Sequence, residues 1–490
     1  MSSKDVENLT QKLICSSCIG EAYLSAEIAD HGEQKKCSYC GQLGHTYSVG
    51  ELAERVETAF EQHYVRTSDQ PDSYQYLLLS DRESTYDWER NGEPIVNAIM
   101  NAADISEAAA EDIQNILNDK YEDFDSAAMG EETEFSDSSY YEERGIGVGT
   151  WHEEWDNFER SLKTEARFFS RSAAEHLEAI FEGIDEMRTS DNHPIVIDAG
   201  PETDFSAVYR ARVFQSNEKL EAALCRPDFH LGSPPPMFAI AGRMNAQGIS
   251  VFYGADDERV AIAEVRAPVG SQVAVARFEI TRRLRLLNLT ALGSVGAGGS
   301  IFDVELASRI ERASFLRLLS RRITRPIMPD DEPFDYLATQ AIADFLATNA
   351  SIPVDGMIYP SVQAAGHALN VVLFHKAARV ETMDIPRGAE IRARSGQMGE
   401  DGWEDDYSVV EEVPPASTVT DKGNVEKSSW PPNFAELEKI MWKDLDSEWR
   451  EPSLRVLSDS VRVHRILRVD FKTEEFHVRR QRWEKREPEF

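Results

Sequence analysis

The pattern of apolar and polar residues changes along the chain, and this change divides it into two parts. Up to about residue 190, apolar residues recur every three or four positions, as they do in helices with one buried face. After Asn192-His-Pro, short β-rich runs appear, which are typical of strands. The pattern therefore predicts a helical part followed by a mixed part that contains both helices and strands.

The first part contains several segments with helical spacing. Helices are predicted from Val49, from Pro94 and from Ser106, a residue type that favours the N-cap position. A further helical segment is predicted from Trp151 to about Arg188. Its shared apolar face is expected to comprise Trp155, Phe158, Leu162, Ala166 and Phe169. The acidic stretch 120–144, rich in Ser and Tyr, is predicted to be a loop.

The second part interleaves strands with helices. The predicted strands are 207–214, 250–253, 272–280, 285–289 and 368–374. The predicted helices are 257–265, 302–321 and 333–348. The polar, acidic stretch 392–430 is predicted to be an insertion, because strand-like alternation resumes after it, at 454–478.

Composition and charge narrow the classes of function. With 490 residues, of which 41% are hydrophobic, the chain can form more than one core. It has no apolar run long enough to span a membrane and no signal-peptide pattern at its polar start, so a cytoplasmic location is expected. The net charge of −35 weighs against general binding to nucleic acid or anionic membranes, because both carry negative charge.

Four of the five cysteines lie close together in the sequence, as Cys15-x-x-Cys18 and Cys37-x-x-Cys40. Two such pairs can supply four thiolates to one ion, which suits tetrahedral Zn²⁺. A shell of four thiolates leaves no open position, so the predicted zinc is structural. Residues 1–47 are therefore expected to form a zinc knuckle.

A second motif lies on the predicted helix 151–188, where Arg171 is followed after four residues by His176. This spacing and its flanks resemble the HEPN family of all-α RNases, in which a dimer brings two such pairs together. The resemblance implies an all-α domain over 48–190 and a homodimer through it. Arg171 and His176 are the candidate second site, and a structural or interface role for them is the alternative.

Short motifs stand in a defined order along the second part. They are Tyr209-Arg210, Gly242-Arg243-Met244-Asn245 with Gly248, Tyr253, Ala261-Ile-Ala-Glu264, Leu286-Leu-Asn-Leu-Thr290, Thr339-Gln340, Asp355-Gly-Met-Ile-Tyr-Pro-Ser361 and Asn370-Val-Val-Leu-Phe374. In order, spacing and residue type they resemble the RES family, over about 205–380. Three features depart from that family: Met244 stands where Trp is usual, the gap from Arg210 to Gly242 is long, and 392–430 is additional.

The RES resemblance implies an enzyme that breaks the bond between nicotinamide and ribose in NAD⁺. The reaction builds an oxocarbenium-like centre, which an adjacent carboxylate such as Glu264 can stabilise. Arg210, with Arg212 on the same strand face as the alternative, and Arg243 are candidates to hold the pyrophosphate. Arg210 and Glu264 are predicted to be catalytic, and Arg243 to bind NAD⁺.

Two further residues complete the predicted site. Tyr253 is expected to bind NAD⁺, by stacking on nicotinamide or by positioning the carboxylate. The Ser361 hydroxyl is predicted to take part in catalysis by hydrogen bonding to the ribose or to the nicotinamide amide. These side chains are expected to converge on one cleft, because a single dinucleotide must contact them all.

The predicted fold class is α+β. It comprises the zinc knuckle at 1–47, the all-α HEPN-like domain at 48–190, and a mixed α/β RES domain at 200–480 that resembles the ADP-ribosyltransferase fold. The resemblance implies a bacterial toxin, with water, phosphate or a protein as the acceptor, and a neutralising antitoxin or regulator as partner. The alternatives are a HEPN-type protein that cleaves or binds RNA through Arg171 and His176, and an inactive scaffold.

Overall fold

A computed structural model describes most of the chain, which divides into two compact units. The first unit comprises Met1–Ile195 and Ala291–Ile323, and the second comprises Val196–Thr290 and Thr324–Phe490. The described residues are 3–81, 84–123, 129, 132–145, 149–349, 351–352, 354–364, 366, 368–399, 402–414, 450–470 and 472–483.

The first unit combines helices with two small antiparallel sheets. Up to residue 195, its helices are α1 (Ser3–Thr10), α2 (Ala22–His31), α3 (Val49–His63), α4 (Ser73–Ser80), α5 (Ile95–Ala103), α6 (Glu107–Tyr121), α7 (Gly149–Thr164) and α8 (Arg171–Phe181). One sheet has the order β1 (Leu13–Cys15), β3 (Leu43–Ser48), β2 (Glu33–Lys36), and the other has the order β4 (Tyr64–Arg66), β6 (Tyr140–Glu143), β5 (Glu93–Pro94). The predicted helices that begin near Val49, Pro94 and Ser106 are confirmed.

Helix α3 illustrates why these residues form helices. The Ser48 side chain accepts a hydrogen bond from the backbone N–H of Glu51, and the Glu51 carboxylate accepts one from the backbone N–H of Ser48, which completes a capping box. The apolar residues of α3 join one core that includes side chains from the cysteine-bearing segment and from α5 and α6. Members of this core are Ile14, Leu24, Ile28, Leu52, Val56, Phe60, Ile99 and Ile113.

Two expectations for the first unit need correction. Residues 48–190 are not all-α, because β4, β5 and β6 form a sheet within them. The single helical segment predicted from Trp151 to about Arg188 is broken: α7 ends at Thr164, and Ser170 caps the start of α8. Phe169, expected on the buried face, has a φ of 61° and is fully exposed, and Ala166 is exposed as well. Helical periodicity alone did not reveal this turn.

The second unit is built on a nine-stranded mixed sheet with the order β18-β10-β8-β9-β13-β12-β11-β7, and β19 also pairs with β10. These strands are β7 (Val196–Ala199), β8 (Ala207–Phe214), β9 (Phe252–Ala255), β10 (Gln272–Ile280), β11 (Leu284–Asn288), β12 (Gly356–Pro360), β13 (Leu369–Leu373), β18 (Leu454–Val456) and β19 (Arg462–Arg465). The remaining helices are α9 (Asn217–Cys225), α10 (Pro227–His230), α11 (Glu258–Glu264), α12 (Leu289–Leu292), α13 (Leu306–Thr324) and α14 (Glu332–Thr348), and α13 falls almost wholly within the first unit.

Strand β10 lies inside this sheet with both faces covered. Its even-numbered residues Ala274, Ala276 and Phe278 belong to one apolar core, and the odd-numbered Val273 and Val275 belong to another. A strand that is buried on both faces reads as a nearly continuous apolar run, as this one does. The strands predicted at 207–214 and 272–280 are confirmed residue for residue.

The sheet opens between β8 and β9. These strands share the single register pair Tyr209↔Ala255, whereas β8 and β10 are paired along eight residues each. Helix α11 follows β9 directly and packs its Val260 and Ala261 into the core that contains Val273 and Val275. The opening and the helix together define where a ligand can enter the sheet.

The region after β13 combines a small sheet with the end of the large one. Strand β14 (Glu390–Arg394) pairs with β17 (Ser408–Glu412), and β15 (Gln397–Gly399) pairs with β16 (Gly402–Glu404). The part of the predicted insertion 392–430 that follows residue 414 lies outside the described residues. The closing strands predicted over 454–478 are confirmed up to Arg465, because β18 and β19 both pair with β10, and the described residues from 466 to 478 form no strand. Among the described helices, none is both long enough and apolar enough to cross a membrane.

Candidate active site and metal centre

The four clustered cysteines come together at one end of the sheet β1-β3-β2. Cys15 ends β1 and Cys18 lies in the 3₁₀ turn that follows, while Cys37 and Cys40 lie in the turn between β2 and β3. The sulfur atom of Cys15 is 3.6 Å from that of Cys18 and 3.6 Å from that of Cys40, and Cys18 and Cys37 are 3.8 Å apart. Zn–S bonds of about 2.3 Å in a tetrahedron require sulfur separations of about 3.8 Å. The geometry therefore fits one tetrahedral metal ion.

A hydrogen-bond network connects this cluster to the neighbouring helix. The Tyr39 hydroxyl, between Cys37 and Cys40, donates to the Asp112 carboxylate of α6 at 2.6 Å. Lys12, just before β1, forms an ion pair with the same carboxylate at 2.6 Å. Ordering the cysteine turns therefore also orders contacts to α6.

Arg171 and His176 lie on the same helix but in different environments. Arg171 is exposed at the first position of α8, and no hydrogen bond or ion pair joins it to His176 among the described residues. The His176 side chain is 10% exposed, and its Nδ1 lies 3.3 Å from the carboxylate of Glu154. Burial lowers the pKa of His176, although the Glu154 charge opposes the shift. This favours a neutral histidine within the core.

Aromatic rings enclose the same histidine. The centroid of its ring lies 6.2 Å from Trp151, 6.3 Å from Trp155 and 5.7 Å from Phe158. Its Nε2 atom is buried and has no hydrogen-bond partner in the part of the chain that the structure describes. A general acid or base must reach its substrate. The geometry therefore gives no support to RNA cleavage by this pair and favours a packing role.

A pocket of about 340 Å³ lies in the second unit where the sheet opens. It is lined by Tyr209, Arg210, Ala211, Arg243, Tyr253, Gly254, Ala261, Glu264, Val265, Arg266, Thr324, Tyr336, Tyr359, Pro360, Val362 and Asn370. Four of the five side chains predicted for the NAD⁺ site are therefore on one pocket wall. The fifth, Ser361, lies between two lining residues and is hydrogen bonded to Glu264.

The Glu264 carboxylate is fixed by two donors from the other side of the opening. The Ser361 hydroxyl donates to Oε1 at 2.5 Å, and the Asn370 amide donates to the same oxygen at 2.8 Å. The Ser361 oxygen in turn accepts from the backbone N–H groups of Gln363 and Ala364, which orients the hydroxyl. Within the described chain, no hydrogen bond reaches the second carboxylate oxygen, Oε2. One oxygen is therefore held while the other remains available.

The Arg210 guanidinium group places a positive charge in a partly apolar region of the pocket. Its guanidinium carbon lies 4.8 Å from the centroid of the Phe252 ring, and its buried Nη1 atom has no acceptor among the residues that the structure describes. Burial lowers the pKa of Arg210 to about 10, so the side chain remains charged at neutral pH. The alternative, Arg212, is exposed and donates to the backbone carbonyl of His230 at 2.8 Å. The pocket therefore contains the first arginine and not the second.

A tight loop holds Arg243 and connects it to Tyr253. The Tyr253 hydroxyl donates to the Asn245 side chain and accepts from the backbone N–H of Met244, both at 2.9 Å. A Cβ atom on Gly242 would lie 2.7 Å from Asn245 Oδ1 and 2.9 Å from that hydroxyl, so a larger residue there would displace the hydrogen-bonded pair. Burial raises the pKa of Tyr253, so its hydroxyl stays protonated and committed to the loop.

Several lining residues were not predicted as site residues. Asn370 was quoted only as part of a strand motif, although a polar residue inside an otherwise apolar strand is a signal for a buried polar contact. Tyr359 also lies on a predicted motif without an assigned role, and burial raises the pKa of its hydroxyl. Nothing in the local pattern singles out Arg266 or Tyr336, because only tertiary contacts bring them to the pocket.

Comparison with protein families supports the resemblance drawn from the motifs. Residues 208–394 match the family model of the RES domain, and this match supports membership of the RES family. The matched segment includes every residue that lines the pocket. No curated protein matches the chain.

The metal centre is expected to contain one zinc ion per chain. Replacing Cys37 with Ser should abolish zinc binding and lower the midpoint temperature of unfolding of the first unit, because metal binding and local folding are coupled. Zinc content and thermal unfolding measure both effects. Cys225→Ser, which changes the cysteine outside the cluster, is the matched control and should retain the metal. Wild-type protein purified without chelator and free of zinc would contradict the prediction.

The buried histidine should make stability depend on pH. The pKa of His176 in the folded protein lies below its ordinary value of 6.5, so its neutral form stabilises the fold above pH 6.5, and this contribution is lost as the pH falls through the folded value. Compared with wild type, His176→Gln should lose less free energy of unfolding between pH 8 and pH 5. Denaturant unfolding across this range measures the difference. The exposed His31→Gln should behave like wild type, and equal slopes for all three proteins would refute the assignment.

Proposed function

We propose that the pocket of the second unit binds NAD⁺ and cleaves the bond between nicotinamide and ribose. One observation carries the proposal: Glu264 is fixed through Oε1 by Ser361 and Asn370 in a pocket that also contains arginine side chains. A fixed carboxylate beside cationic groups is what a substrate with a developing positive centre and two phosphates requires. The match of this region to the RES domain supports the same conclusion.

The reaction breaks the C–N bond between the ribose carbon and the nicotinamide ring. The electron pair goes to the ring nitrogen, so nicotinamide leaves as a neutral molecule and the ribose carbon becomes oxocarbenium-like. A lone pair of the acceptor then forms the new bond to this carbon, and a water or side-chain acceptor releases its proton to solvent. Hydrolysis, phosphorolysis and transfer of ADP-ribose to a protein differ only in whether the acceptor is water, phosphate or a side chain.

Glu264 is the proposed catalytic carboxylate. Its Oε1 is occupied by two neutral donors, which stop the group from rotating. Oε2 is left to stabilise the oxocarbenium centre or to orient the incoming acceptor. Ser361 therefore acts as a positioning residue for Glu264, rather than as the direct contact to ribose or nicotinamide that the sequence suggested, and Asn370 shares this role.

Arg210 and Arg243 are the proposed ligands of the pyrophosphate. The buried Nη1 of Arg210 has no acceptor among the described residues, and leaving such a group unsatisfied costs free energy that a phosphate oxygen would recover. Arg243 projects from the loop that Tyr253 holds, with its guanidinium carbon 5.2 Å from the Tyr336 ring centroid. The Tyr253 hydroxyl is engaged in that loop, so its ring is the part offered to nicotinamide.

The proposed function also includes a metal site, a partner and a cellular location. The cysteine cluster is a structural Zn²⁺ site, since four thiolates complete a tetrahedral shell. An enzyme that depletes NAD⁺ harms its own cell, so a neutralising antitoxin or regulator belongs to the proposal, as does a cytoplasmic location. The ADP-ribosyltransferase-like fold and a homodimer through the HEPN-like segment remain predictions.

The mechanism is tested by Glu264→Gln. This change keeps the shape and removes the negative charge, so NAD⁺ cleavage should fall by about a hundredfold or more, the size of effect that follows the loss of one electrostatic transition-state contact. Release of nicotinamide from NAD⁺ by the purified protein measures the rate. Glu258→Gln removes the same charge from the same helix outside the pocket and should keep nearly full activity. Undiminished cleavage by Glu264→Gln would rule out the mechanism.

The two arginines of β8 provide a second test. Arg210→Ala should raise KM for NAD⁺ and lower kcat, because the pyrophosphate is bound in both the ground state and the transition state. Arg212→Ala is the matched control: it removes the same group two residues along the strand, outside the pocket. Steady-state kinetics and circular dichroism of both variants separate catalysis from folding. If only Arg212→Ala lost activity, the assignment of Arg210 would be wrong.

A further inference from the structure

Arg266 occupies an unusual position at the pocket. It follows the C-terminus of α11 two residues after Glu264, and its φ of 45° is in the left-handed region that residues other than glycine rarely adopt. Its backbone N–H donates to the carbonyl of Ala263 at 3.2 Å, which closes the last turn of the helix. Glycine is the residue usually found at such a helix end. An arginine there carries a conformational cost, and residues held at such a cost cluster at ligand sites.

The Arg266 side chain has no carboxylate partner among the described residues. The chain has 87 acidic and 52 basic residues, so an arginine on its surface has many acidic side chains available as partners. Arg266 nevertheless forms none of the ion pairs of the described chain, although it lines the pocket and is exposed to solvent. Three arginines and a single carboxylate line this pocket, so it is locally positive in a strongly acidic protein.

The charges of Arg266 and Arg243 both affect the pKa of Tyr336. The Arg243 guanidinium carbon lies 5.2 Å from the centroid of the Tyr336 ring. The pKa of Tyr336 is raised by burial and by its hydrogen bond to Glu332, while the charges of both arginines oppose the shift. Both arginines and Tyr336 line the same pocket.

We propose that Arg266 and Arg243 form a two-point clamp for the pyrophosphate of a dinucleotide, with the buried Arg210 as its third ligand, and that Arg266 binds the phosphate nearer the open side of the pocket. This inference rests on the proposed function and specifies which part of the substrate the unpredicted arginine recognises. A planar guanidinium group presents paired donors that match phosphate oxygens. The clamp selects substrates that carry a pyrophosphate over nicotinamide nucleosides that carry none.

The decisive variant is Arg266→Gly. Glycine adopts a φ of 45° without strain, so the backbone of α11 and the position of Glu264 should be preserved, and the midpoint temperature of unfolding should not fall. The side chain and its charge are lost. Arg259→Gln is the matched control, because it removes an exposed arginine from the same helix outside the pocket.

Two measurements on the full chain test the clamp. Calorimetric titration with ADP-ribose, which carries the pyrophosphate but undergoes no cleavage of nicotinamide, should show affinity about tenfold to a hundredfold weaker in Arg266→Gly, the range for losing a charge-assisted hydrogen bond. Turnover of NAD⁺ should show a higher KM. Turnover of nicotinamide riboside, which has no phosphate, should be unchanged in kcat/KM. Arg259→Gln should match wild type in all three.

The outcomes separate this inference from the proposed function. Wild-type protein that binds ADP-ribose through Arg266 but does not cleave NAD⁺ would retain the clamp and refute the proposed activity. Cleavage of NAD⁺ with equal ADP-ribose affinity in wild type and Arg266→Gly would retain the activity and refute the clamp. Equal losses with NAD⁺ and nicotinamide riboside would also refute it, because the defect would then lie at the reacting carbon. Absence of ADP-ribose binding to the wild type would overturn it outright.

Discussion

The opening of the sheet between β8 and β9 is the constraint on which the candidate site depends. The strands meet at one register pair, Tyr209↔Ala255, and then separate, so the backbone groups beyond it are not closed off by a neighbouring strand. Side chains from both strands line the space that results, and α11 brings Glu264 to it directly after β9. A sheet with full pairing along these strands would leave no room there for a ligand.

Neighbouring side chains hold the charged groups of the pocket in position. Glu264 is held by a hydroxyl and an amide, both of which cross from the segment β12–β13, so the carboxylate is positioned without an arginine partner that would neutralise it. Arg210 lies against Phe252, and its buried Nη1 atom has no acceptor within the described part of the chain. Burying such groups is costly in a protein that binds nothing, and it becomes favourable when a ligand supplies the missing contacts.

Prediction from sequence succeeded where one local period was enough. The side chains of strand β10 enter two cores in turn, so both faces are buried, and the nearly continuous apolar run that results predicted its bounds residue for residue. Prediction failed where the period continued across a break, as between α7 and α8, where Phe169 takes up a left-handed φ that periodicity cannot reveal. The candidate site was likewise predicted only in part. The residues that lie in motifs were predicted, whereas no local pattern indicated Arg266 and Tyr336.

The sequence by itself determined most of the helical and strand segments, the grouping of four cysteines into two closely spaced pairs, and the order of motifs that resembles the RES family. These features depend only on residues close together in the sequence, because the spacing of apolar side chains and the backbone preference of each residue are local properties. Only the tertiary structure decided that Arg210 rather than Arg212 lines the pocket, that Ser361 holds Glu264, and that His176 is enclosed by aromatic rings. Such outcomes depend on contacts between residues that are far apart in the chain, such as Ser361 and Glu264, which are separated by 97 positions. No local pattern encodes which of many similar polar side chains will meet.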